Sequence, residues 1–210
     1  SKKIKNFTFI SSDKAVKPKS ILGITKKYGE KIIKYEYLKN QQNLVTNFTI
    51  VRFGNVIGSS GSVIPIFLSQ IAKNLPLTVT HKKVKRYFMS ISEAVQLVIN
   101  ASYMNKSDLK IYAFNMGEQI YIHKIAERII RLSGNTIKDK ENKDGDISIK
   151  ITGLKKGEKI SEEITLGDNL LNTSHSEIML CDENINIKNL KDDLSKIQNM
   201  SFKDTNKIKL

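Results

Sequence analysis

The spacing of apolar positions changes several times along the chain, and each change predicts an element. Phe7-Thr8-Phe9-Ile10 is a short apolar run of the kind a buried strand needs, and after a turn marked by Pro18, residues Ile21, Ile24, Tyr28, Ile32 and Tyr35 recur at helical spacing. Asn47 to Phe53 is a second β-rich run. The first 55 or so residues therefore read as β-α-β, the unit of parallel sheets with right-handed crossovers, and the fold class as α/β. Gly54 to Gly61 is a loop rich in glycine and serine, followed by a helix through Val63, Ile66, Phe67 and Ile71 that ends near Asn74 and Pro76. Leu77 to Thr80 reads as extended, Ser92 to about Tyr103 as a helix carrying Val95, Leu97 and Val98, and Ile111 to Phe114 as a buried strand. Ile122, Ile125, Ala126, Ile129 and Leu132 predict a further helix, stopped by Gly134. Asn135 to Asp146 is charged and nearly free of apolar residues, which predicts a surface loop. Ile147, Ile149 and Ile151 then alternate with Ser148 and Lys150 as in a half-buried strand. The last 26 residues, with Ile187, Leu190, Leu194 and Ile197 among Lys, Asp and Asn, predict a peripheral helix or a polar tail.

Composition narrows the chemistry. With 210 residues, 40% hydrophobic and 27% charged, the chain can bury a real core. Its formal charge of +14 favours an anionic partner: a phosphate, a nucleotide or an acidic surface. The abundance of Lys, Asn and Ile is also what an AT-rich coding sequence produces. A nucleic-acid-binding protein driven by that charge is one reading, but no recognised reading motif accompanies it, so no nucleic-acid partner is expected. The single Cys181 excludes an internal disulfide, and His81, His123 and His175 lack metal-ligand spacing, so no metal is expected. No stretch approaches the roughly 18 to 20 apolar residues that span a bilayer, which predicts no membrane contact by this segment and a cytoplasmic location. The chain opens at Ser1 and meets an apolar strand within a few residues, as a piece of a longer protein would.

The first strand ends in Ser11-Ser12-Asp13-Lys14, which puts hydroxyls, a carboxylate and an amine at the carboxyl edge of a parallel sheet, where ligands of open α/β sheets bind. Lys26 follows one turn into the next helix, near Gly23, where a missing side chain allows close approach to the backbone. Spacing alone favours a polar strand end and solvent-facing helix lysines.

Ser12-Asp13-Lys14-Ala15-Val16-x-Pro18 followed by Gly23-Ile24-Thr25-Lys26 resembles the catalytic stretch of nucleotide-sugar 4,6-dehydratases, the CapD-like extended short-chain dehydrogenases of polysaccharide biosynthesis. The resemblance continues through Val51-Arg52-Phe53-Gly54-Asn55-Val56, Gly58 to Pro65, Thr78-Val79-Thr80-His81, Arg86-Tyr87-Phe88-Met89, Glu93 to Leu97, Asn115 to Glu118, Arg131 to Gly134, and Gly153-Leu154 to Gly157-Glu158-Lys159. It implies the C-terminal part of an NAD(P)-binding Rossmann-type parallel sheet with a small substrate-binding α/β subdomain. Residues 1–60 would be the remaining half of the Rossmann-type domain, with a strand near 111–117 returning to it. Residues 61–184 would be mainly substrate-binding, and 185–210 a tail or peripheral helix.

The resemblance also implies bound NAD, rather than NADP, as a transient hydride store, and a UDP-sugar substrate, UDP-N-acetylglucosamine, in surface polysaccharide or glycan biosynthesis. In that scheme Ser12 hydrogen-bonds the C4 oxygen, Asp13 is the acid towards the departing C6 hydroxyl, Lys14 is the base at C5, and Lys26, the fourth catalytic residue, binds the nicotinamide ribose and lowers the pKa of nearby acids through its charge. Ser11 and Phe53 join Lys26 at the cofactor. Asn55, Ser62 and Val63 fall near the nucleotide-sugar, Arg86 and Lys155 at its diphosphate, and Glu158 at its ribose.

The chain departs from the family pattern. Leu22 stands where most members carry a tyrosine, which removes a proton-exchanging group. Lys155-Lys156 replaces Arg-Pro, which keeps the charge and loses the bidentate fork. The glycine-rich turn that holds the NAD pyrophosphate is missing, because Gly54, Gly58 and Gly61 have the wrong spacing for it. The cofactor-binding half is thus expected in a segment outside this chain, which would carry any membrane helices and place the protein on the cytoplasmic face of a membrane. An uncovered sheet edge predicts association with that completing N-terminal segment or as a homo-oligomer. A related epimerase and a non-catalytic nucleotide-sugar-binding remnant are the competing readings; epimerases normally need the tyrosine that Leu22 replaces.

Overall fold

The computed structural model describes residues 4–41, 46–59, 61–106, 108–166 and 170–199. In chain order these form β1 (Asn6–Ile10), a 3-10 turn (Asp13–Ala15), α1 (Ile21–Asn40), β2 (Asn47–Arg52), β3 (Asn55–Val56), α2 (Val63–Ala72) and β4 (Leu77–Val79). There follow β5 (Lys85–Arg86), β6 (Phe88–Met89), α3 (Ile91–Met104), β7 (Lys110–Phe114), β8 (Ile120–Tyr121) and α4 (Ile122–Leu132). The last elements are β9 (Ile137–Lys138), β10 (Ile147–Ile151), β11 (Leu170–Asn172), β12 (Ile178–Cys181) and α5 (Leu190–Asn199). They divide into two units: Ser1–Arg52 with Val98–Phe114 and Glu163–Leu210, and Phe53–Leu97 with Asn115–Glu162.

In the first unit the strands lie in the order β1-β2-β7-β12-β11. The first three are parallel, with Ile10 beside Val51 and Ile50 beside Ile111, as an α/β Rossmann-type fold requires. Thr49, Ile50, Val51 and Arg52 are all buried, because a central parallel strand is covered on both faces. Ile50, Ile111, Ala113, Cys181 and Ile185 form this unit's core. The sequence expectation needs correction at 163–184. That stretch, assigned to the substrate-binding portion, carries β11 and β12, which pair antiparallel beyond β7 in the first unit. The strand Ile178–Cys181 is four residues long between polar segments, too short for periodicity to reveal. The end of the chain takes the helical alternative: α5 buries Leu190, and the Tyr28 hydroxyl donates to Asp193 Oδ2 at 2.9 Å. Residues 200–210 of the expected tail, and the side chain of Ile197, lie outside the described residues.

Helix α1 corrects a second expectation. The stripe that predicted it does not form a core face, since Ile21 is 64% and Ile32 37% exposed. Its buried residues are Gly23 and Glu30. The helix is placed instead by a close backbone approach and a buried charge, after Ser20 caps it by accepting from the Gly23 N–H at 3.1 Å.

In the second unit the sheet order is β4-β10-β9, all parallel, with two short pairs, β3-β6 and β5-β8. Helix α4 buries Ile122, Ala126, Ile129 and Ile130, one face of a 3.6-residue period, among Phe67, Leu77, Val79, Val84 and Ile147. It ends in a Schellman motif: Gly134, at φ +76°, donates to the Arg131 carbonyl and Asn135 to that of Ile130. The charged run 135–146 is not wholly a loop. Ile137 pairs with Ile147, and Asp146 Oδ2 pins the segment by accepting from the Thr136 N–H at 2.7 Å and its hydroxyl at 2.6 Å.

Two outcomes follow from the first unit. A Cβ at Gly23 would collide with the Lys14 carbonyl oxygen and press on Pro18, so Gly23→Ala is expected to destabilise by about 1–3 kcal/mol, read as a lower urea midpoint at unchanged slope. Burial of Cys181, offset in part by Arg52, pushes its thiol pKa up to about 12, so it stays protonated and inert. It should react with a thiol reagent at pH 8 only after unfolding; stoichiometric labelling of the native protein would contradict this.

Candidate functional site

The carboxyl end of β1 in the first unit gathers one group of candidate residues. Beyond Ile10 the chain turns into the short 3-10 segment, capped by Ser12 Oγ accepting from the Lys14 N–H at 3.3 Å. Asp13 is fully buried. Its Oδ1 accepts from the Ser12 hydroxyl at 2.8 Å and from Lys14 Nζ at 2.9 Å, so three of the four candidate catalytic side chains form one contiguous cluster. Asp13 Oδ2 is buried and has no hydrogen-bond partner among the described residues. An unpaired buried oxygen costs about 1–3 kcal/mol, and such a cost is tolerated where a ligand completes the bonding.

Lys26 Nζ donates to the Ile10 carbonyl at 3.0 Å and lies 5.7 Å from the centre of the Phe9 ring. Ser11 is buried, its hydroxyl donating to Glu30 Oε1 at 2.7 Å. Leu22, in the first turn of α1, is exposed. Around Ser11 lies a network that the sequence did not reveal. Arg52 grips Glu30 with two hydrogen bonds, Nε to Oε1 at 2.7 Å and Nη2 to Oε2 at 2.8 Å, and Nη1 reaches Glu183 Oε2 at 2.8 Å. Burial alone would lower the Arg52 pKa, but hydrogen bonding to Glu30 and the charges of Glu30 and Glu183 raise it above its ordinary value. Glu30 is one of two acidic residues of α1, with Glu36, and nothing in the local sequence marks it as the buried one.

The second unit holds a cavity of about 490 Å³, the size of a small-molecule site. All six residues assigned to the substrate, Asn55, Ser62, Val63, Arg86, Lys155 and Glu158, line it. Its inner wall is apolar, with Ile66, Phe67, Val79, Val84, Phe88 and Ile122. Three lining hydroxyls, on Thr78, Thr80 and Thr152, were not singled out from sequence. Thr80 is the informative one: its hydroxyl donates to Glu158 Oε1 at 2.7 Å, while Glu158 Oε2 accepts from the Lys155 N–H at 3.1 Å.

The two cationic residues differ in what they offer. Arg86 is buried and donates to the carbonyls of Lys85 (2.8 Å), Lys159 (2.8 Å) and Ile160 (3.2 Å), with Glu158 at 3.7 Å. Its fork is thus largely occupied in holding 158–160. Lys155 is exposed at the cavity. Ser62 is the N-cap of α2, but its hydroxyl makes no capping bond; it is buried without a partner among the described residues. The first turn of α2 contains no acidic residue, so the positive end of its dipole is not neutralised. Ser60, within the glycine-rich loop, lies outside the described residues. Phe53, half-buried, opens this unit.

Of the three histidines, His81 and His175 accept from nearby main-chain N–H groups and His123 pairs with Glu127 at 3.1 Å. Among the described residues no helix is long and apolar enough to cross a membrane.

The chain is similar to known proteins. CapD, a capsular polysaccharide biosynthesis protein of Staphylococcus aureus, is 42% identical over 161 residues, 77% of this chain and 25% of CapD. The structure of Pen from Bacillus thuringiensis superposes with a TM-score of 0.73 at 31% identity, over 85% of this chain and 52% of Pen. UDP-glucuronic acid 4-epimerase from Bacillus cereus, solved with UDP-glucuronic acid and NAD, shares the fold at a TM-score of 0.59 and 18% identity, over 75% of this chain and 52% of that one. The chain thus spans a quarter to a half of these proteins. The family described as polysaccharide biosynthesis protein matches residues 1–183, and the chain belongs to that family.

Proposed function

We propose that this chain is the catalytic and substrate-binding portion of a UDP-sugar 4,6-dehydratase that acts on UDP-N-acetylglucosamine for surface polysaccharide synthesis. The observation that carries the reading is the convergence of Asn55, Ser62, Val63, Arg86, Lys155 and Glu158 on one cavity. A nucleoside diphosphate-sugar suits its chemistry. The diphosphate takes the α2 N-terminus, the unpaired Ser62 hydroxyl and the Lys155 ammonium. Arg86 adds field and fixes the 158–160 segment rather than closing a bidentate fork on the phosphates. Glu158, oriented by Thr80 and the Lys155 N–H, accepts hydrogen bonds from a ribose. The apolar wall takes the faces of base and sugar.

The proton chemistry belongs to the cluster on β1. Two donors occupy Asp13 Oδ1, so a proton carried by Asp13 sits on Oδ2, the oxygen without a partner among the described residues, and goes to the C6 hydroxyl as it leaves as water. Lys14 takes the C5 proton, which a ketone at C4 makes acidic. Ser12, whose hydroxyl donates to Asp13 Oδ1, accepts the hydrogen bond of the C4 hydroxyl and relays that proton to the Asp13 carboxylate as the C4 hydride leaves, and Lys14 returns its proton to C5 when the hydride comes back at C6. NAD fits residues of the first unit at one end: we assign Ser11, through its main chain, and Lys26 to the nicotinamide end, while no pyrophosphate turn occurs among the described residues. When bound, NAD would supply the hydride acceptor for oxidation at C4 and the hydride donor for reduction at C6.

In the full-length protein, Lys14→Ala should lower dehydratase kcat by about 10²–10⁴-fold and leave UDP-N-acetylglucosamine affinity within about twofold, by product assay and calorimetry. Wild-type turnover by the variant would remove Lys14 as the base. A C4 epimer in place of a 4-keto-6-deoxy sugar would make the enzyme an epimerase, and binding without turnover would make it a nucleotide-sugar-binding remnant.

A further inference from the structure

We infer that Glu30, held by Arg52, is a positioning residue that fixes the end of β1, and hence the Ser12–Asp13–Lys14 cluster, through the Ser11 hydroxyl. The inference rests on the proposed reaction for its effect on turnover, but not for its structural content.

Helix α1 grips the strand end at three successive points along one face. Gly23 lets the helix backbone lie against the Lys14 carbonyl, Lys26 donates to the Ile10 carbonyl at 3.0 Å, and Glu30 accepts from the Ser11 hydroxyl at 2.7 Å. These residues are three and four apart, the spacing that puts them in line on a helix. An apolar stripe could hold the helix on the sheet, but it would tolerate sliding; directed hydrogen bonds to two consecutive strand residues do not. Glu30 itself is immobilised by the two-pronged grip of Arg52, which planar guanidinium geometry makes specific in angle as well as distance. Arg52 is immobilised in turn by Glu183, whose other oxygen accepts from the Leu166 N–H at 2.7 Å. The chain of contacts runs from the segment after β12, through the end of β2, to the residue that precedes Ser12. None of these side chains carries a proton in the proposed reaction. Their burial leaves them no role as solvent-facing charges, and their common target is the strand end.

The test uses the full-length protein loaded with NAD, with UDP-N-acetylglucosamine as substrate. Glu30→Gln breaks the network at its centre but strands Arg52, so the informative variant is Ser11→Ala, which leaves the ion pair intact and removes only its link to the strand. Ser11→Ala should lower kcat about tenfold with KM and UDP affinity unchanged, since ångström-scale misplacement of catalytic groups carries that order of loss. Amide exchange should quicken severalfold at residues 11–16, where Ser11, Ala15 and Val16 donate to main-chain carbonyls, and stay the same in β2 and β7. Unchanged kcat overturns the inference, as does a loss of UDP affinity matched by faster exchange throughout the sheet. If wild-type protein turns over no UDP-sugar, the reaction assignment fails on its own. Exchange then decides the clamp: quickening confined to 11–16 upholds it and unchanged exchange overturns it.

Discussion

Arg52 ends β2 with its guanidinium wholly buried, and a charge in that position is compatible with folding only because Glu30 and Glu183 surround it. Removing an ion from water costs several kcal/mol even after relaxation, and deleting one partner of a buried pair typically costs about 3–5 kcal/mol. Much of the first unit therefore has to be arranged so that three elements distant in sequence deliver their side chains to one point. Helix α1 must present residue 30, β2 must end at 52, and the segment after β12 must bring residue 183 back. The parallel register of β1 with β2, with Ile10 beside Val51, puts Ser11 level with Arg52 and within reach of Glu30. An apolar core of Ile50, Ile111 and Ala113 would be served by many arrangements of the covering helix; the ion pair selects one.

The second unit uses the same residue type differently. Arg86 is also buried, but its donors meet main-chain carbonyls at 85, 159 and 160 rather than carboxylates. It ties β5 to the segment that carries Glu158, so the cavity wall is set by a cation that has little left to give a ligand. What is left unneutralised nearby among the described residues is the Lys155 ammonium, the end of α2 and the Ser62 hydroxyl, the groups proposed to hold the diphosphate. Replacing the family's Arg-Pro by Lys155-Lys156 fits this division, because a flexible ammonium supplies charge without a fixed fork.

Much of this was legible in the sequence, for identifiable reasons. The β-α-β opening, α2, α3 and α4 showed because long elements carry enough periods to read. The two-residue strands β3, β5, β6, β8 and β9 did not, since two residues have no period and tertiary pairing alone creates them. The Ile21-to-Tyr35 stripe was read correctly as a helix but not as to its buried face. Apolar periodicity reports helicity, whereas this helix docks through a glycine and a glutamate that any hydrophobicity count scores as surface. The cavity residues were identified one by one through motif resemblance, which gives identity without neighbours; that Thr80 orients Glu158, and that Arg86 is occupied, are three-dimensional facts with no local signature.

Two oxygens mark where folding and function part. Across the described residues buried polar groups are mostly satisfied, yet Asp13 Oδ2 and Ser62 Oγ are among the few side-chain atoms left without a hydrogen-bond partner. A stability argument would remove both, by Asp13→Asn with a repositioned donor or by letting Ser62 cap α2 as N-cap serines ordinarily do. Each instead sits where the local backbone is held by other means. The 3-10 turn and the grip of α1 fix Asp13; β3 and the Ser62 N–H, which donates to the Ser59 carbonyl, fix the entry to α2. Because neighbouring contacts over-determine these backbones, each oxygen can stay without a partner among the described residues and available, in the proposed reading, to a hydroxyl or a phosphate. In each unit taken by itself, buried charge supplies the rigidity, Arg52 with Glu30 in the first and Arg86 on main-chain carbonyls in the second, so that these oxygens need not supply it.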